Sequence, residues 1–191
     1  MIYSETDAPH LGQENGGLVT MIDLIDETIP FHTEEVNKPC RSNVDTFFIP
    51  DDLKALDQWV VWKYEQKGKK WTKVPYDAKL HGIRASSTKP STWSSFEAAY
   101  NAYEKREDID GIGFVLTPND FYVGIDLDHC IDDFGLVASW AQDIVDSLKS
   151  YTEITPSVHG LRIFLKGTLP DTGHKNGDIE VYDRSRYLTI T

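Results

Sequence analysis

The chain has 191 residues, 40% of them hydrophobic, which is enough for one core of ordinary size plus a tail, and its formal charge of −12 argues against sequence-wide electrostatic binding of nucleic acid. Residues 1–50 hold nine acidic against two basic residues, a net of −7, so residues 51–191, with 22 against 17, carry only −5 and have room for a local basic groove. Two cysteines, Cys40 and Cys130, exclude a disulfide framework or a zinc cluster, and the lack of a signal-peptide pattern or a membrane-length apolar run leaves a reducing host cytoplasm as the expected location.

Residues 1–44 mix Gly, Asn, Glu and Pro around one apolar patch, "LVTMIDLIDETI", and read as an acidic, mostly disordered tail with one short helix. A folded domain is expected over 45–191. It opens with a short helix from Pro50, followed by a strand near 59–64 and a second strand after the "KGKK" turn, together a hairpin. Trp93, Phe96, Tyr100 and Tyr103 recur at helical spacing and predict a helix with Ser91 or Thr92 as its cap. "GIGFVLT" and "FYVGIDLD" read as two strands joined by a "PND" turn. A second amphipathic helix is expected over 136–151, with Val137, Trp140, Ile144 and Leu148 on one side. The end of the chain is strand-rich: "TEIT", "LRIFLKG", "DIEVYD" and "RYLTIT". Hairpins interleaved with helices predict an α+β fold, a mainly antiparallel sheet with helices on one face.

Strand alternation then sorts the side chains. In "FYVGIDLD", Phe121, Val123, Ile125 and Leu127 point one way, and Tyr122, Gly124, Asp126 and Asp128 the other. In "LRIFLKG" the second face carries Arg162, Phe164 and Lys166, and in "DIEVYD" it carries Asp178, Glu180 and Tyr182. Asp126 and Asp128 would stand about 6.6 Å apart along their strand. Three carboxylates gathered without counter-charge raise one another's pKa, a cost that a hard divalent cation removes, and oxygen ligands suit Mg²⁺ or Mn²⁺. Arg162 and Lys166 beside them would hold a polyphosphate, so the pattern points to phosphoryl or nucleotidyl transfer. The blander reading is that an exposed sheet face is normally polar and that Asp-x-Asp arises by chance in acidic chains. Same-facing charges on three separate strands favour a site.

The order "GIGFVLT…FYVGIDLDHC", "TPSVHGLRIFLKG", "DIEVYDRSRYLTIT", preceded by "WVVWKYEQKGKKWTKVPYD" and "ASSTKPSTWSSFEAAY", resembles the primase-polymerase (prim-pol) domain of the archaeo-eukaryotic primase superfamily, in the form found in phage and plasmid replication proteins. The resemblance runs from about Pro50 to Thr191. It implies an RRM-like catalytic sheet preceded by a smaller α/β unit, and DNA primase/polymerase activity on a DNA template with nucleoside triphosphates. It further implies a divalent-metal pair at Asp126 and Asp128 with Glu180 as third acid, and nucleotide contacts from the Ser157 to Arg162 motif, including His159, with Arg186 and Lys73 as weaker candidates.

The chain also departs from the family pattern. Arg162 stands where a histidine is expected; a guanidinium binds phosphate but does not share a proton near neutral pH. Val158 replaces an expected glycine. The chain stops at Thr191 where family members continue, often into a helicase module, so the domain is expected to be truncated at that end. The alternative reading is therefore a catalytically incomplete prim-pol-like module that binds nucleotide or a replication partner.

Overall fold

Trp59, Val60, Val61 and Trp62 are consecutive and all fully buried, so this stretch must be covered on both faces, as an interior strand requires. The computed structural model describes residues 37–171 and 173–191. In chain order its elements are α1 (Asp51–Lys54), β1 (Trp59–Lys67), β2 (Lys70–Tyr76), α2 (Phe96–Lys105), β3 (Gly111–Leu116), β4 (Tyr122–Leu127), α3 (Ser139–Leu148), β5 (Tyr151–Ile154), β6 (Leu161–Lys166), β7 (His174–Asn176), β8 (Ile179–Tyr182) and β9 (Arg186–Ile190). They form an α+β fold with two antiparallel sheets, ordered β2-β1-β3-β9 and β5-β6-β4-β8-β7.

One face of the first sheet carries Trp59, Val61, Ile112, Phe114, Leu116, Leu188 and Ile190, which pack with Leu53 of α1 and with Phe96, Ala99 and Tyr103 of α2. Its opposite face sets Val60 and Val115 against Trp93. In the second sheet the alternation read from the sequence holds: Val123, Ile125, Leu127, Leu161 and Ile163 lie under α3, whose Ala141, Ile144 and Val145 complete a separate core.

The other face of the second sheet is divided. Tyr122 and Phe164 join the first sheet's core, where the Phe114 ring lies edge-on to both, at centroid distances of 6.0 and 6.3 Å. Gly124 is required there, because a Cβ on it would lie 2.1 Å from Leu188 Cδ1 and 3.2 Å from Leu116 Cδ1. The sheets therefore touch along half of that face.

Several local expectations change. The "GIGFVLT" and "FYVGIDLD" strands are not a hairpin: β3 pairs within the first sheet and β4 within the second. Phe121, expected on the apolar face of β4, sits before the strand with φ 58 and is 65% exposed, in the turn that carries the chain from one sheet to the other. The α2 cap is Ser95, whose Oγ accepts from the Ala98 N–H at 3.3 Å, instead of Ser91 or Thr92. Residues 90–92 form a 3-10 turn, and Ser94 bridges to Trp59 in extended form, which holds Trp93 off the helix.

The second amphipathic helix is shorter than 136–151. Val137 is held in a bridge to Ile131, and Lys149 closes the helix at φ 48. Residues that the sequence assigned to the tail also pack on the domain: the Ser42 N–H donates to the Asp110 carbonyl at 2.8 Å, and Val44 is buried. The helix expected in "LVTMIDLIDETI" lies outside the described residues. Among the described residues, no helix is long and apolar enough to cross a membrane.

Candidate active site

Strand register fixes the site. In the second sheet Glu153 lies opposite Arg162, Arg162 opposite Asp126, Asp126 opposite Glu180, and Glu180 opposite Lys175. Directly opposed residues of antiparallel strands share a face, with strands about 4.8 Å apart. Five charged side chains thus form one row across five strands. The β9 end of the first sheet covers the Glu153 and Arg162 part of the row, and a cleft borders it beside Asp126.

Arg162 stands second in the row, between two acids, and is only 6% exposed. Its Nε and Nη2 both reach Asp126 Oδ1 at 2.7 Å, and its Nη1 donates to the Thr189 carbonyl at 2.6 Å and also to the Thr189 hydroxyl. β9 of the first sheet therefore anchors the guanidinium that pairs with the acid of the second. On the far side of Asp126, Glu180 accepts from Lys175 and, at 2.7 Å, from the Tyr182 hydroxyl. Arg186 donates to that same hydroxyl at 3.0 Å and lies over the Tyr182 ring, 4.4 Å from its centroid. The hydrogen bonds from Lys175 and Tyr182 hold the Glu180 carboxyl below its usual range, against an opposing effect of burial, with the charges of Lys175 and Arg186 adding to the lowering.

Asp128 follows the end of β4 and its N–H donates to the Asp178 carbonyl at 2.8 Å. Burial, followed by the charges of Asp126 and Glu180, pushes its carboxyl above the usual range, and His129 and Lys175 pull the other way. The three acids are therefore within electrostatic reach of one another. As they stand they do not converge: among the described residues no three acid, histidine or cysteine side chains are close enough to ligate one ion. Arg162 holds Asp126 and Lys175 holds Glu180.

A cleft of about 350 Å³ opens beside Asp126 and Arg162, walled by Trp71, Thr72 and Lys73 of β2 and by Tyr187, Leu188 and Thr189 of β9. Burial, together with the nearby Arg162, lowers the Lys73 ammonium from its usual range, while Asp126 and Asp128 oppose that shift. The family resemblance gives Lys73 only as a weaker candidate, equally readable as a surface lysine of the hairpin. Its place comes from the packing of two sheets whose strands are far apart in the chain.

The other sequence candidates divide. Arg186 is brought to Glu180. Ser157 and His159 lie in the β5–β6 turn and do not line the cleft; the Ser157 hydroxyl is 2.9 Å from Thr155 Oγ1, and His159 Nδ1 is 3.2 Å from the Ile131 carbonyl. That turn abuts the end of β4, since a Cβ on Gly160 would lie 2.8 Å from the Leu127 carbonyl and 3.7 Å from Asp128 Cα. Val158, at the position where glycine was expected, has φ 60, left-handed backbone that is costly for a β-branched residue.

Lys166 is not part of the cluster. It shares a face with Arg162 but stands four residues along β6, at the opposite end from the row, where it pairs with Asp52 of α1. The sequence missed Glu153, Thr189 and Lys175. Glu153 and Lys175 had a signal in the two-residue register of their strands, while Thr189 needed knowledge of which strands face one another.

No family model matches the chain. It is 43% identical over 149 residues to a DNA primase-polymerase of Nitratiruptor phage NrS-1, a stretch that takes in 73% of this chain and 20% of that protein. The chain thus spans about a fifth of the length of the curated relative it matches. With three motifs in family order on an antiparallel α+β framework, and this similarity across most of its length, the chain belongs to the prim-pol domains of the phage type.

Proposed function

We propose that this domain joins nucleotides on a DNA template as a metal-dependent primase-polymerase. The observation that carries the reading is the row Arg162–Asp126–Glu180, with Asp128 at its edge and its carboxyl pushed up by burial and then by both neighbouring acids. Three carboxylates of this kind have the donor chemistry of a Mg²⁺ or Mn²⁺ site, once Asp126 and Glu180 turn from their bases. Such an ion, when bound, supplies activation of an attacking hydroxyl and neutralisation of a leaving pyrophosphate.

The protein's own groups account for the rest. Arg162, anchored by Thr189 at the cleft, sets a permanent positive charge beside a triphosphate, and Lys73 and Arg186 add positive charge from either side of the row. Ser157 and His159, on the turn beside Asp128, are placed to meet a nucleotide at the edge of the site rather than within the cleft. Lys166 takes no part in this reading. The relative's name ties the reading to DNA replication, where a helicase or another replication protein is the expected partner.

The test is incorporation of labelled nucleotide on primed and unprimed DNA with Mn²⁺ or Mg²⁺. Wild type should incorporate, and Asp126→Asn and Glu180→Gln should each lose at least a hundredfold with their circular dichroism unchanged. Nucleotide binding by calorimetry without any incorporation would replace this reading with a binding module.

A further inference from the structure

Glu153 is 8% exposed, and of its two oxygens only Oε2 is satisfied, accepting from the Tyr151 hydroxyl at 2.8 Å and from the Thr191 N–H at 3.0 Å. Oε1 is buried without a hydrogen-bond partner. Buried carboxylate oxygens left without a donor are rare, and each calls for an explanation. The register supplies one. Arg162 is flanked on a single sheet face by two carboxylates, Asp126 on β4 and Glu153 on β5, and in this arrangement it gives its Nε and Nη2 to Asp126 alone.

We infer that Glu153 is a positioning residue for Arg162, the carboxylate that receives the guanidinium when Asp126 turns to a divalent cation. The inference rests on the metal site proposed above. Arg162 carries a permanent charge and is almost wholly buried, so it must keep an anionic neighbour. Once the Asp126 oxygen is engaged elsewhere, Glu153 is the directly opposed acid that remains. The hydrogen bonds from Nη1 to Thr189 give the side chain a fixed point about which its other nitrogens turn.

Charge balance makes the exchange measurable. Burial raises the Glu153 carboxyl to about 7, against the charge of Arg162 and the hydrogen bonds from Thr191 and Tyr151. Near neutral pH a large share of the Glu153 side chains is therefore protonated. Receiving Arg162 requires the carboxylate, so that proton leaves to solvent as the cation is taken up. The other groups that bear on Glu153 are Tyr151 on its own strand, Arg162 on β6 and the Thr191 backbone after β9, with Asp45 acting on Tyr151. Protons released by any other group at the site are common to wild type and a Glu153 variant, so the comparison of the two isolates the share that belongs to Glu153.

The experiment is calorimetric titration of Mn²⁺ into the full chain at pH 7 in buffers of different ionisation enthalpy, for wild type, Glu153→Gln and Asp126→Asn. The expected result is that Glu153→Gln binds Mn²⁺ at least fivefold more weakly and releases fewer protons than wild type, while Asp126→Asn loses the site. A purely structural role would lower the melting temperature of Glu153→Gln and leave both readouts unmoved, which would overturn the inference. If wild type binds no Mn²⁺, or Asp126→Asn binds it as wild type does, the metal reading and this inference fall together. Should Glu153→Gln fail to fold, ¹³C-detected titration of the wild-type Glu153 carboxyl serves instead. Its midpoint is expected to fall when Mg²⁺ is added, and an unmoved midpoint overturns the inference.

Discussion

The polar and apolar halves of one sheet face differ although they share the same strands. At the end nearer Tyr122, the face carries Tyr122, Gly124 and Phe164 and is pressed against Phe114, Leu116 and Leu188 of the first sheet. At the other end the same strands carry Glu153, Arg162, Asp126 and Glu180, the contact with the first sheet is polar, through Thr189 and Thr191, and a cleft opens beside Asp126 and Arg162. The apolar half fixes the distance between the sheets. The polar half uses that distance: Thr189 reaches Arg162 next to Leu188, which is seated over Gly124.

The largest effect should come from unpairing the charged half. Asp126→Ala would take from Arg162 the acid it now holds; breaking a buried pair costs about 3–5 kcal/mol, and with Glu153 opposite to receive the guanidinium the loss should fall at the lower end of that range. Asp126→Asn keeps the shape and one acceptor and should cost clearly less. Urea unfolding of the two variants compares them directly. Equal stabilities would show that Arg162 does not depend on Asp126, and Asn is accordingly the better substitution for activity assays.

A second effect is confined to the charged half and depends on pH. The Glu153 carboxyl is raised from 4.5 to about 7 in the folded chain. The native state therefore holds a proton that the unfolded chain has lost between those values, so this contribution is full below about pH 4.5 and disappears as pH rises through 7. The loss amounts to about 3 kcal/mol from a shift of this size. The stability difference between wild type and Glu153→Gln, followed from pH 4.5 to 8, should show wild type losing ground steadily. A flat difference would mean that Glu153 is ionised throughout.

Smaller again is the effect of overfilling the apolar half. Gly124→Ala puts a methyl against Leu188 Cδ1 in a packed seam, and overpacking of this kind costs about 1–3 kcal/mol. If the seam positions the cleft, the same variant should also weaken nucleotide binding, because Leu188, which the new methyl would displace, also lines the cleft. Loss of stability with unchanged binding would show that the two halves are independent.

Much of this was legible in the sequence, and the rest was not for physical reasons. A two-residue period fixes which side chains share a face, so the α3-facing core and the grouping of Asp126, Arg162 and Glu180 followed from the strands alone. The same period says nothing about what covers a face. Strand partners are set by long-range packing, so the splitting of β3 and β4 between two sheets, and with it the arrival of Thr189 at the site, had no local signal. Val158 is an intermediate case. Its sequence position marked it as out of place, and the structure shows why in its φ of 60.

The smallest effect is expected where periodicity misled. Lys166 has the charge, strand and face to belong with Arg162, and only its position along β6 excludes it. Its partner Asp52 is exposed, as it is itself, and exposed pairs contribute little because water screens them and two long side chains must be held still. Lys166→Ala should therefore leave both the urea midpoint and nucleotide incorporation within experimental error of wild type, while Arg162→Ala loses both. A loss of incorporation in Lys166→Ala approaching that of Arg162→Ala would mean that the nucleotide's path extends along β6 past Phe164 to the closed end of the face. The division between a packed half and a working half would then fail.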